Sequence, residues 1–418
     1  MILTLFGAAT ASAGQIIYTH GGDLWVMNDA GGDQRALLTQ AQAGATSLSQ
    51  PNLFPATGAL TFQGSVKAPD GSCVTECIGI STLIGGSVHR VTPAAVNCQP
   101  SPGISCMSRI DNTPTLTADG RVLYLQSSAV VTYSCYGFYC YGSADGGNEY
   151  EIQSASGGDQ PNQWPDGTSP VQWFEPAATG GVDSSPAADP ADPHLIAYPA
   201  WEDPADVSFS VNPLVIDDDA AQNPFVVSDD DVTQWGVTWS PDGAYVLDIE
   251  GGSEPGIWAY TAQARGSAGW KAYYILATPP QTANGGGLGP QISITSDGRV
   301  LFSSAHVIYA LPASCGPYGG ASAPGGTATA NCTLAQATQL TTSGGDDDPT
   351  WTAVTTSLSY VPPGGGAGSG SGGGGGAAGG SGGSGGTAGG GGSGSRPAST
   401  RPGTVLARRT ISRRERRA

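Results

Sequence analysis

Aspartates outnumber the glutamates, histidines and cysteines of this 418-residue chain together. Three runs stand out: Asp217-Asp218-Asp219, Asp229-Asp230-Asp231 and Asp346-Asp347-Asp348. Carboxylates brought together at strand ends can hold a hard cation such as Ca²⁺ through oxygen ligands. The last two runs stop just short of strand-forming stretches, which makes Asp231 and Asp348 the candidate Ca²⁺ ligands. The competing reading is a set of solvated turns, since adjacent Asp side chains point apart and no run fits the D-x-D/N-x-D/N-G calcium loop. Trp235 and Trp351 follow these runs and are the candidate binding rings for a sugar or peptide; packing between strands is the alternative. His20, His89, His194 and His306 are scattered, without a second His at ligand spacing, and read as turn or surface residues. A G-x-S-x-G match at 379–383 lies in a glycine tract, without the strand and helix that a nucleophile elbow needs. The sequence therefore nominates no catalytic residue, and Ca²⁺ is the one cofactor it allows.

The elements that must position these residues form a repeat. Gln234 to Gly251, QWGVTWSPDGAYVLDIEG, reads as strand, tight turn and strand. Pro241 pre-sets φ in the turn and Gly243 supplies geometry that a Cβ opposes. Stretches 111–125 and 289–302 match it through TADG and TSDG turns, and 50–62, 348–361 and 185–198 are more worn copies. A second unit lies between the copies, best seen in DLWVMNDAGG at 23–32 followed by LLT at 37–39 and echoed at 149–159 and 256–260. The spacing of the copies suits one four-stranded propeller blade each, with loop insertions.

Together the two units resemble the blade of the TolB-like six-bladed β-propeller family, a relative of the WD-type propellers. The resemblance covers residues 15–363. It implies an all-β six-bladed propeller of four-stranded antiparallel blades, in which strands from 348–361 pair with strands at 16–39 to close the ring. It also implies a protein-interaction platform, with insertions at 66–110, 126–147 and 312–336 as the variable contact surface. An all-β sandwich with recurrent turns is the competing fold. Ile16–Thr19 and Ser357–Val361 both suit the second strand of the closing blade, so one must be displaced.

Residues 1–14 suit the tail of a secretory signal peptide without its basic n-region. That segment is too short to span a bilayer. Eight cysteines support export and fall into four close pairs: Cys73 with Cys77, Cys98 with Cys106, Cys135 with Cys140, and Cys315 with Cys332. Neighbour pairing is the simplest of the many connectivities they allow, and it would staple insertions and not the core. Residues 1–395 carry 8 Lys+Arg against 33 Asp+Glu, a net charge of −25; residues 396–418 carry 8 Arg and one Glu, a net of +7. An acidic propeller lacks the cations that nucleic-acid phosphates need. Residues 364–395 form a Gly/Ser-rich flexible linker, and 396–418 an Arg-rich tail that is disordered or opens a truncated module. The functional expectation is a non-enzymatic, monomeric scaffold, exported to the periplasm, cell wall or medium. Its partner would be a protein or an envelope polymer. The alternative is a propeller hydrolase or lyase, or a Ca²⁺-dependent carbohydrate-binding module, that uses channel-rim carboxylates.

Overall fold

The computed structural model describes residues 14–54, 59–66, 77–91, 105–136, 139–144, 149–156, 172–174, 186–200, 213–218, 224–228, 234–251, 254–278, 287–322, 329–342 and 344–353. These form an all-β propeller of four-stranded antiparallel blades. The first sheet joins both ends of the repeat region: Asp346–Thr352 pairs with Gln15–His20, followed by Asp23–Asn28 and Arg35–Leu38. Gln15–His20 thus holds the second position in the closing blade, and residues 357–361 lie outside the described residues. The second sheet runs Ser47–Phe54, Ala59–Val66, Cys77–Ile84 and Ser87–Arg90. The fourth is Ala187–Ala188, Leu195–Pro199, Leu214–Asp218 and Phe225–Val226; the fifth is Gln234–Trp239, Tyr245–Glu250, Gly256–Thr261 and Ala272–Ala277. The sixth is Leu288–Ile294, Val300–Ser304, Val307–Leu311 and Thr338–Gln339.

The third sheet departs from expectation. Five sheets have four strands, not six, and this one has five: Ser105–Leu116, Arg121–Tyr136, Tyr139–Ala144, Glu149–Ser156 and Gln172–Phe174. The reason lies in the register. Arg121–Tyr136 is long enough for Glu149–Ser156 to pair with its first half and Tyr139–Ala144 with its last. Two strands therefore share the third position end to end, while Ser105–Leu116 occupies the opposite edge. Of the insertion expected at 126–147, residues 126–136 and 139–144 continue the sheet. Its register sets Cys135 opposite Cys140, inside strands and not in a loop.

The sequence repeat works the same way at each turn. The backbone N–H of Thr117 bonds Arg121 O at 2.9 Å, that of Thr295 bonds Arg299 O at 2.9 Å, and that of Ser240 bonds Tyr245 O at 2.8 Å. Each hydroxyl also donates to the turn aspartate, Asp119, Asp297 or Asp242. Small hydroxyl and carboxylate side chains close such turns by bonding their own backbone. In two of the three turns an arginine follows the DG pair and reaches the next sheet: Arg121 donates to Pro193 O at 2.7 Å and Arg299 to Asp29 O at 2.9 Å.

Apolar clusters fill the seams between sheets. One register position anchors five of them. It lies two residues beyond the second-strand partner of Trp351, Leu53, Leu116, Ala188, Trp239 or Ile294. It holds Tyr18, Phe62, Tyr124, Tyr198 and Phe302, each at most 1% exposed. In the fifth sheet it holds Asp248.

Candidate functional site

The innermost strands of the six sheets touch one another in a closed circuit, in the order 346–352, 47–54, 105–116, 187–188, 234–239, 288–294 and back. Each of 346–352, 47–54, 105–116 and 234–239 carries one extra residue relative to its partner, a β-bulge that re-aims side chains locally. Gln50, Thr113, Gly236 and Asp348 sit at these bulges in the left-handed region, with φ of 50, 47, 65 and 55°. A Cβ on Gly236 would meet Pro290 O at 2.8 Å, so glycine is needed there for both space and φ. In the sixth sheet the irregularity spans Leu288 to Ile292, two extra residues. The equivalent of Pro114 is therefore Ile292, and Pro290 stands two residues upstream of the repeat.

Side chains link these strands across the channel wall. Asp348 Oδ2 accepts the Gln50 N–H at 3.0 Å, and Gln50 Oε1 accepts the Thr113 N–H at 2.9 Å. Thr115 Oγ1 accepts the Ala188 N–H at 3.3 Å, and Ser293 Oγ that of Trp351 at 3.0 Å. Gln291 Nε2 donates to Pro51 O at 2.8 Å and to Thr350 Oγ1 at 2.6 Å. Between them lie a cavity of about 80 Å³, lined from all six inner strands, and one of about 40 Å³ beside Gln50, Thr113 and Gln291. Both fall well below the roughly 300 Å³ at which small-molecule pockets begin.

The run Asp346–Asp348 is no solvated turn. It opens the innermost strand of the first sheet, and Asp346 and Asp348 are 1% and 3% exposed. Asp346 Oδ1 lies 2.6 Å from His20 Nδ1, its cross-strand partner. Asp347 Oδ2 lies 2.6 Å from His306 Nδ1, and its Oδ1 accepts the Ser303 hydroxyl at 2.9 Å. The Asp347 hydrogen bond and charge raise the His306 pKa. Ser303 bonds the carboxylate and not the imidazole, so nothing here activates it as a nucleophile. Ala305 and His306 both adopt left-handed φ in a two-residue hairpin turn whose counterparts are Gly21-Gly22 and Gly85-Gly86. Burial pushes the Asp348 carboxyl up to about 6; the Gln50 N–H opposes this, the Asp347 charge adds to it, and the Thr19 hydroxyl lowers it. Asp348 Oδ1 has no hydrogen-bond partner. Asp217 is also buried, with the Tyr198 hydroxyl 3.4 Å from its Oδ2.

Of the residues singled out from sequence, Trp351 lines the larger cavity while its indole N–H bonds Asp29 Oδ1 at 3.2 Å. Trp235 is half-buried and packs on the fifth–sixth core. Asp231 lies outside the described residues, as do Cys73 and Cys98, 1–13 of the leader segment, the linker and the Arg-rich tail. Among the described residues no three His, Cys, Asp or Glu side chains converge as metal ligands would, and no helix is long and apolar enough to cross a membrane. Cys315 and Cys332 form a disulfide, Cα–Cα 5.5 Å. Both are buried in the core between the fifth and sixth sheets, so this bridge staples the core as well as its loop. His20 and His306 were passed over as surface residues. Their signal was their place at two-residue hairpin turns that face the start of the closing strand.

No family model matches the chain, and no curated protein is significantly similar to it. Solved structures similar to it include TolB from Acinetobacter baumannii, with a TM-score of 0.48 and 11% identity over 81% of this chain and 66% of that one. Hydrazine synthase from Kuenenia stuttgartiensis has a TM-score of 0.47 and 11% identity over 84% and 48%. A gluconolactonase from Xanthomonas campestris has a TM-score of 0.38 and 14% identity over 80% and 93%. The chain thus spans just under two thirds of the first and about half of the second. At these values no function passes from them to this chain.

Proposed function

We propose that this chain is a six-bladed propeller, its third sheet the sixth blade with a divided third strand, and that it acts as an exported, non-enzymatic interaction scaffold. The closed circuit of six inner strands supports the blade count. One observation carries the functional reading: the channel wall is occupied by its own hydrogen bonds. Asp348, Gln50 and Thr113 are tied to one another in a chain, and the two cavities lined by described residues are too small for a substrate. The buried Cys315–Cys332 bridge fits an oxidising compartment.

Contacts would then come from the rim. Among the described residues, Tyr318, 42% exposed on the loop after Val307–Leu311, and Ile84, 38% exposed at the end of strand Cys77–Ile84, are the exposed large apolar side chains. Photo-crosslinking from either position in intact cells is expected to give a discrete protein or polymer adduct that excess unlabelled propeller competes away. Absence of an adduct from both positions, with turnover of a lactone or glycoside by the purified chain, would favour the hydrolase reading. The rim pairs His20–Asp346 and His306–Asp347 are the groups that reading would use, since a carboxylate on Nδ1 leaves Nε2 to accept a proton.

A further inference from the structure

We propose that Asp248 and Glu250 form a binding site for a small hard cation of the Ca²⁺ type, in the seam between the fourth and fifth sheets. The site is separate from the channel and stands whether or not the scaffold reading holds.

The argument starts from the repeat. Five sheets fill one register position with a buried ring: Tyr18, Phe62, Tyr124, Tyr198 or Phe302. The fifth fills it with Asp248, equally inaccessible at 0% exposure. A carboxylate replaces an aromatic ring at the same depth, in a smaller side chain. Neither Asp248 oxygen has a hydrogen-bond partner. Glu250, two residues on and therefore on the same face of the strand, is 2% exposed. It is held in place: its Oε1 accepts the Tyr260 hydroxyl at 2.5 Å and Gln234 Nε2 at 3.3 Å. The opposing wall of the seam is apolar, built from Ala197, Leu214 and Ile216.

Leaving a buried carboxylate uncompensated costs several kcal/mol. A proton is the smaller remedy, and burial followed by the Glu250 charge does raise the Asp248 pKa well above the carboxylate range. A proton serves only one of the two oxygens and leaves the other without a side-chain donor. A cation takes both oxygens at once. Two carboxylates completed by backbone or water oxygens are a ligand set that hard divalent ions accept, and the pair's charge of −2 matches one such ion.

The test uses the full chain, stripped with chelator and titrated with Ca²⁺ by calorimetry and thermal unfolding. Wild type is expected to bind and to unfold at higher temperature as Ca²⁺ is added. Asp248→Asn is expected to bind about tenfold more weakly or not at all. Asp248→Phe restores the ring of the other five sheets; it is expected to fold and to lose all response to Ca²⁺. An unchanged response in both variants would place the ion elsewhere and overturn the proposal. So would a wild type indifferent to Ca²⁺ at roughly millimolar levels, the weak end of protein calcium sites.

Discussion

Asp348 shows how little of a residue's role its neighbours in sequence reveal. Three adjacent aspartates look like a charged loop, yet burial of this one lifts its carboxyl to about 6. Its proton is kept in the folded state between the unfolded carboxylate range, near 4, and that value. Stability should therefore fall as pH rises across that window, by about 3 kcal/mol for a shift of two pH units. Asp348→Asn keeps the acceptor for the Gln50 N–H and tolerates left-handed φ. Urea unfolding should then show the loss with rising pH removed and higher stability at pH 7.5. His306, whose pKa is also raised, acts in the same direction over a higher pH window. Its raised pKa means that its bond to Asp347 stabilises the fold below the ordinary histidine range and is lost as pH climbs through the folded value. The NMR titration midpoint of His306 should lie above 6.5 and drop in Asp347→Asn. Asp348 was legible as a candidate ligand but not as a buried strand residue. What buries it is a pairing with Gln15–His20, more than 300 residues away in sequence.

At the scale of elements, the turns were the most legible part of the chain. TADG, TSDG and SPDG announce a hydroxyl, an aspartate and a glycine in a fixed local order, and local hydrogen bonds need no distant partner. The arginine after the glycine carries a second message that local reading misses. Arg299 joins the sixth sheet to Asp29, whose carboxylate also holds the Gly14 N–H at 3.1 Å and the Trp351 indole. Arg299→Ala should lower the unfolding free energy by about 1–2 kcal/mol, read from the urea midpoint at constant slope. Gly236→Ala meets both left-handed φ and the Pro290 carbonyl, and should cost more than about 1 kcal/mol in the same assay. Pro290 stands two residues before the place that Pro114 takes, because the sixth sheet absorbs two extra residues where its neighbours absorb one.

Over the whole molecule, the ring closes by one strand. Asp346–Thr352 is the inner strand of the first sheet, and its neighbours on either side are the inner strands of the second and sixth. Closure between the chain's two ends was legible because the worn copy at 348–361 lacks its own outer strands and DLWVMN lacks an inner one. The divided third sheet was not, since a strand that runs on past its blade looks like any insertion. The disulfide adds a second tie, drawing the 312–336 loop into the fifth–sixth core. Replacing Cys315 and Cys332 by Ser together should cost about 3 kcal/mol, the entropy a bridge of this span removes from the unfolded chain, and calorimetry would report it. A scaffold that presents loops from a rigid rim depends on the closing strand above all. Native-state hydrogen exchange of the full chain tests that directly. Amides of 346–352 and 15–20 should exchange together, only through global unfolding, with the same free energy as the inner strands of the fifth and sixth sheets. Free exchange of 346–352 while 234–239 and 288–294 stay protected would mean an open ring, and would contradict the account.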